Sequence, residues 1–131
     1  MENHLKSNDY NGLALAYLGD AVYEKYIREF ILTTKGGKMN NIHNIVSTNY
    51  TSAKAQKAYM EKILEKNLLD EYELSLFKKG RNTHPSTTRH NVELKDYLTA
   101  TGFEALIGGL YLDGKLNRVE EIINMITGGG L

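Results

Sequence analysis

The chain has 131 residues, no cysteine, and equal numbers of basic and acidic side chains, 16 of each, so its formal net charge is zero. This length suits a single domain, and the lack of cysteine excludes a disulfide framework and a thiolate metal site. The zero net charge gives no support to a polybasic binder of nucleic acids or membranes. No apolar run is long enough for a secretory signal or a membrane span, so we expect a cytoplasmic protein with no membrane partner.

Six helices are predicted, because apolar residues recur at three-and-four spacing and strand patterns are scarce. In chain order they cover approximately residues 11–32, 40–47, 52–67, 70–79, 92–112 and 116–126. The third helix should pack on the domain through Ala55, Ala58, Tyr59, Ile63 and Leu64. Gly80 is expected to end the fourth helix, and residues 128–131, which contain three glycines, should be flexible. The sequence therefore predicts one all-α domain over residues 1–131.

A polar segment, residues 80–91, follows the fourth helix and contains the only proline of the chain. It has no apolar periodicity, so we interpret it as a loop. Residues 74–92 contain no acidic side chain, which makes this part of the sequence the main cationic patch. Its basic side chains are Lys78, Lys79, Arg81 and Arg89, and His84 and His90 can become charged. A solvated loop without a ligand is the alternative interpretation.

Two acidic residues interrupt apolar helical sequence, Asp20 in LAYLGDAVYE and Glu104 in GFEALIGGLYLDG. We expect both to be buried, where an ionised carboxylate needs a proton, a hydrogen-bond donor or a cation. Glycine within a helix lowers helix stability by about 1 kcal/mol relative to alanine. We therefore expect another backbone or a ligand to approach closely at Gly19, Gly108 and Gly109, where a side chain would be in the way. The hypothesis is that the acids converge on hydrated Mg²⁺, or Mn²⁺ as a substitute. The alternative is that each acid is merely hydrogen-bonded in a helix junction.

The ordered set of motifs resembles the catalytic domain of the ribonuclease III family, whose two signature helices are similar to LAYLGDAVYE and TGFEALIGGLYLDG. GRN at residues 80–82, with no double-stranded-RNA-binding domain after the catalytic fold, is similar to the bacterial Mini-ribonuclease III subfamily. The resemblance implies a metal-dependent endoribonuclease that hydrolyses phosphodiester bonds in double-stranded RNA. It also implies a natural substrate among precursors of the large-subunit ribosomal RNA.

Site residues follow from the resemblance position by position. Asp20 and Glu104 match the catalytic and metal-binding acids of the family. Full-length ribonucleases III carry further acids at the positions of Leu13, Ala16 and Thr101, so the number of bound metals stays open. The implied RNA contacts come from Lys78, Lys79, Arg81, Asn82, His84 and Arg89.

The resemblance further implies a homodimer, since Tyr17 occupies the aromatic position that inserts into a partner subunit. An ordinary core aromatic is the alternative for Tyr17. The alternative function is a catalytically inactive ribonuclease III-like module that binds RNA or a ribosomal protein. Retention of both Asp20 and Glu104 favours the enzyme, because an inactive relative has little reason to keep either acid.

Overall fold

The computed structural model describes residues 5–35, 39–83 and 92–131 and is built from α-helices, with no β-strand in those ranges. The helices are α1 (Gly12–Lys35), α2 (Met39–Val46), α3 (Ala53–Glu65), α4 (Glu71–Arg81), α5 (Val92–Leu112) and α6 (Leu116–Thr127). The predicted all-α fold is confirmed. None of these helices combines the length and apolarity needed to cross a bilayer within the described ranges.

Central helix α5 organises the core, since its residues 100–103 and 105–110 are buried. Its contact with α1 is made backbone to backbone. A Cβ atom on Gly19 would lie 1.7 Å from the carbonyl oxygen of Glu104, and one on Gly108 would lie 2.0 Å from that of Leu15. A Cβ on Gly109 would meet the Leu76 side chain of α4 at 2.7 Å. The close approaches predicted at these three glycines are therefore confirmed.

The prediction that Gly80 ends α4 is wrong, because α4 continues to Arg81 and Asn82 forms its C-cap. Gly80 instead allows α4 to pack directly against α5: a Cβ there would lie 2.5 Å from Cβ of Ala105 and 2.7 Å from the carbonyl oxygen of Thr101. Glycine was therefore required for helix packing at this position rather than for a helix stop.

Helix α3 packs on the core through three of the predicted residues, Tyr59, Ile63 and Leu64. Its buried residues are Gln56, Met60 and Ile63, while Ala58 is exposed. Ser52 begins the helix as its N-cap, where the side-chain oxygen accepts a hydrogen bond from the backbone nitrogen of Ala55 at 3.1 Å. The buried stripe therefore includes one polar side chain, that of Gln56.

A single π-helical turn, Ser47–Thr51, joins α2 to α3 and was not predicted. Three side chains donate hydrogen bonds to its consecutive carbonyl oxygens at residues 49–51. The donors are the hydroxyl of Tyr59 (2.7 Å), the hydroxyl of Tyr23 (3.0 Å) and Nε2 of Gln56 (3.0 Å). These bonds satisfy carbonyl groups at the end of the turn and fix its position beside the core.

The C-terminal residues 128–131, which the sequence predicts to be flexible, contact the domain. Leu131 packs against the core, and Nζ of Lys66 donates to the carbonyl oxygens of Gly130 and Leu131 at 3.2 and 3.0 Å. Nearby, Arg118 of α6 binds the buried Glu73 carboxylate through Nε at 2.7 Å and Nη2 at 3.0 Å. This two-point ion pair fastens α6 to the start of α4.

Candidate active site

Asp20 and Glu104 meet where α1 crosses α5. Gly19 lies against the Glu104 backbone, so the residue that follows it, Asp20, reaches the Glu104 side chain, and the two carboxyl groups lie within hydrogen-bonding range. The expectation that both are buried is wrong for Asp20, which is exposed, whereas Glu104 is partly buried. The α1 face toward the core is formed by residues such as Leu15 and Tyr23, and Asp20 lies at its edge.

Burial and charge act together on Glu104. Loss of hydration raises its pKa to about 8, and the nearby Asp20 carboxylate adds to the increase by repulsion and by a hydrogen bond. The Gln56 amide acts in the opposite direction, because it donates a hydrogen bond that favours the ionised form. In the absence of a cation, burial and the neighbouring Asp20 therefore favour the protonated form of Glu104 and raise its pKa.

The donor set fits a hard divalent cation that keeps part of its water shell. Mg²⁺ is commonly bound by one or two carboxylates together with waters and substrate phosphates. Among the residues that the structure describes, no group of three or more acidic, histidine or cysteine side chains could hold a metal ion. Leu13 is exposed and Ala16 and Thr101 are buried, so these three positions add no carboxylate to the pair. The described residues thus bring two carboxyl groups together at this crossing, those of Asp20 and Glu104.

The structure brings a third side chain to the acid pair that the sequence analysis missed. Gln56 of α3 is 1% exposed, and its Nε2 donates to the carbonyl oxygen of Thr51 at 3.0 Å while the same amide contacts Glu104. Its Oε1 has no hydrogen-bond partner in the part of the chain that the structure describes. The signal in the sequence was the spacing of Gln56, Met60 and Ile63, which places them on one helical face.

The described part of the cationic patch lies at the C-terminal end of α4. Lys78, Arg81 and Asn82 are exposed there, and the Arg81 guanidinium lies 5.5 Å from the Phe77 ring centroid. Lys79 is half-buried, and its Nζ donates to the carbonyl oxygen of Ser7 at 3.3 Å. Lys79 thus also holds the N-terminal segment in place. The other predicted members, His84 and Arg89, lie outside the described residues, as does His90.

Tyr17 is 85% exposed, so its interpretation as a core aromatic is wrong. It lies one turn after Leu13, which is also exposed, and three residues before Asp20. Side chains at these spacings share one side of a helix. An exposed apolar patch on α1 therefore adjoins the acid pair.

Comparison with known proteins gives consistent matches. The sequence profile of the ribonuclease III domain matches residues 13–115. The Mini-ribonuclease 3 of Enterococcus faecalis is 45% identical over 114 residues, which cover 87% of this chain and 86% of that protein. The Mini-ribonuclease 3 of Staphylococcus aureus is 36% identical over 125 residues, with 95% and 91% covered.

A solved structure matches over the same extent. The crystal structure of a Fusobacterium nucleatum protein, 33% identical in sequence, aligns with a TM-score of 0.81 and covers 98% of this chain and 100% of that one. The fold, the family profile and the two relatives agree with the resemblance carried by the signature helices. The chain belongs to the ribonuclease III domain family.

Proposed function

We propose that this ribonuclease III-type endoribonuclease hydrolyses phosphodiester bonds in double-stranded RNA with a divalent cation, Mg²⁺ or Mn²⁺, held by Asp20 and Glu104. The observation that carries the proposal is the contact of these two carboxyl groups across the α1–α5 crossing. Two acids in contact repel each other when ionised, and a divalent cation reverses the sign of that interaction. The partial burial of Glu104 strengthens its interaction with a bound cation.

The two acids have different roles because their surroundings differ. Asp20 is exposed and its carboxylate is open to solvent, while Glu104 lies deeper and contacts Asp20 and Gln56. When bound, the cation supplies a Lewis acid that activates water and stabilises charge on the phosphate. Glu104 must release its proton before it can bind the cation, so cleavage should increase with pH through the neutral range.

We propose that the RNA backbone is held by Lys78, Lys79, Arg81 and Asn82 at the end of α4, together with His84 and Arg89. Phosphate and 2′-hydroxyl contacts suit duplex RNA, because side chains cannot read its deep major groove. Replacing Arg81 with alanine should weaken RNA binding and flatten its dependence on salt, since fewer counterions are released. An unchanged salt slope would remove Arg81 from the interface.

We further propose a homodimer in which Tyr17 enters the partner subunit, so that two sites act on the two strands of one duplex. The exposure of Tyr17 beside exposed Leu13 supports this assignment. The proposed substrate is a precursor of the large-subunit ribosomal RNA in the cytoplasm, and the proposed partner is a ribosomal protein. Incubating the purified protein with this precursor, alone and bound to ribosomal proteins, tests these assignments through the cleavage products.

The catalytic proposal is tested by incubating the protein with a structured RNA duplex, with Mg²⁺ or with EDTA. The wild type should cleave only with the metal, and Asp20→Asn and Glu104→Gln should each reduce the rate by about 100-fold or more. Glu29→Gln is the matched control, because Glu29 is an exposed acid on the same helix as Asp20. If the wild type binds the duplex but leaves it intact at every metal and salt concentration, the protein is an inactive RNA-binding module.

A further inference from the structure

Gln56 is a buried amide on the apolar face of α3. Its side chain is 1% exposed and shares this face with Met60 and Ile63. A leucine or methionine would fill a similar volume, and an incompletely bonded amide in the interior costs stability. Packing alone therefore does not explain why the polar side chain lies here.

The Gln56 amide is fixed on one side and contacts the acid pair on the other. Nε2 donates one hydrogen to the carbonyl oxygen of Thr51 at 3.0 Å, and its second hydrogen is available to Glu104, which the amide contacts. The Thr51 carbonyl belongs to the π-helical turn that Tyr23 and Tyr59 also hold. The position of Nε2 is thus set by its hydrogen bond to this turn, which the hydroxyl groups of Tyr23 and Tyr59 also hold in place.

The other end of the amide is unsatisfied. Oε1 is buried and lacks a partner in the described parts of the chain. Nε2 donates to the carbonyl oxygen of Thr51, so rotating the amide by half a turn would lose this hydrogen bond and place Oε1 against another oxygen. A hydrated cation brings water molecules whose hydrogens can satisfy such an acceptor.

We propose that Gln56 is a positioning residue that orients the Glu104 carboxylate for binding a divalent cation. This inference rests on the proposed function, in which Glu104 is a metal ligand. A fixed donor selects one orientation of the carboxylate, and an oriented ligand binds the cation more tightly. Without this donor, Glu104 must be ordered by the cation itself, so metal affinity decreases.

The test replaces Gln56 with methionine, which keeps the length and volume of the side chain but removes both amide hydrogens. Binding of Mn²⁺ in the absence of RNA is measured by electron paramagnetic resonance, and cleavage is measured against Mn²⁺ concentration. We expect about 10-fold weaker Mn²⁺ binding, with the cleavage rate recovering at saturating Mn²⁺. A change in half-saturating metal rather than in maximal rate distinguishes positioning from general damage to the fold.

Tyr59→Phe is the matched control, because it removes a hydrogen bond to the same π-helical turn at Asn49 without touching Glu104. It should leave Mn²⁺ affinity unchanged. If it weakens Mn²⁺ binding as much as Gln56→Met does, the turn rather than the amide is responsible and the inference is overturned.

Unchanged Mn²⁺ affinity in folded Gln56→Met also overturns the inference. If that variant fails to fold, Gln56→Asn gives the same measurement, because it keeps the amide but withdraws it by one methylene group. Failure of the proposed function gives a different result: wild type and Glu104→Gln would then bind Mn²⁺ equally. Failure of this inference alone leaves the difference between those two proteins intact.

Discussion

Glu104 should make the metal-free protein less stable as pH rises, and Glu104→Gln should remove this loss. With a pKa of 4.5 in the unfolded chain and about 8 in the fold, Glu104 binds its proton more tightly in the folded state. When the pKa of a group is higher in the folded state, its contribution to stability is fully present below the unfolded pKa. That contribution is lost as pH rises through the folded pKa. The pH dependence of stability caused by Glu104 is therefore opposite to that caused by a carboxylate in a salt bridge.

The magnitude follows from proton linkage. Between pH 5 and pH 7, the free energy of unfolding should fall by roughly 2 to 3 kcal/mol because of Glu104 alone. The amide in Glu104→Gln does not ionise, so the stability of the variant relative to the wild type should increase by the same 2 to 3 kcal/mol, roughly, across this interval. The expected difference in melting temperature increases by roughly 10 °C, at about 4 °C per kcal/mol for a domain of this size.

The assay is denaturant unfolding of both proteins in EDTA at pH 5, 6 and 7, at one fixed protein concentration because dimerisation contributes to stability. Glu29→Gln serves as the control for loss of an exposed carboxylate and should run parallel to the wild type. Added Mg²⁺ should restore the stability of the wild type at pH 7 and leave that of Glu104→Gln unchanged. Parallel pH profiles for wild type and Glu104→Gln would refute the reasoning.

Three further changes test the packing and the surface. Gly19→Ala should destabilise the fold by about 3 kcal/mol, because its Cβ would lie 1.7 Å from a backbone oxygen. Gly130→Ala is the control and should have no effect, because its Cβ would meet no close neighbour. Equal melting curves for Gly19→Ala and the wild type would exclude the close crossing. Tyr17→Ala should shift sedimentation from dimer to monomer, and an intact dimer would reject Tyr17 as the anchor. Arg118→Met should lower the free energy of unfolding by about 3 kcal/mol in denaturant, because it leaves the buried Glu73 carboxylate without its ion-pair partner. Adding Glu73→Gln to this variant should recover part of the loss. No recovery in the double variant would count against the ion pair as the cause.

Helix positions could be predicted from the sequence where local and long-range preferences agree. The bounds of α5, Val92–Leu112, match the prediction because its second half is almost entirely apolar and Gly114, just after it, adopts a positive φ that ends the segment. Gly80 was misjudged, because a glycine that stops a helix and one that permits helix packing look the same in a single sequence. The difference depends on what lies opposite, here Thr101 and Ala105 of α5.

The acid pair could be predicted in part. Both acids are adjacent to or one turn from a glycine, and this pattern correctly indicated that their helices approach closely. The exposure of Asp20 could not be predicted, because its position at the edge of the core-facing stripe depends on how α1 is rotated against α5. Gln56 was missed for a related reason: a polar residue in an amphipathic helix is ordinarily assigned to the solvated face, and its burial depends on the π-helical turn.

The glycine contacts and the acid pair are two consequences of one helix crossing. Because α1 and α5 are in backbone contact at Gly19 and Gly108, the carboxyl groups of Asp20 and Glu104 are held close together despite their mutual repulsion. Each glycine weakens its own helix, and ionisation of the partly buried Glu104 beside a second acid opposes folding as pH rises, so neither feature is explained by stability. In the proposed function, a divalent cation between the acids would turn their repulsion into attraction and compensate the buried charge of Glu104. On that proposal, the same crossing accounts for both the energetic cost of the unliganded site and its affinity for a metal ion.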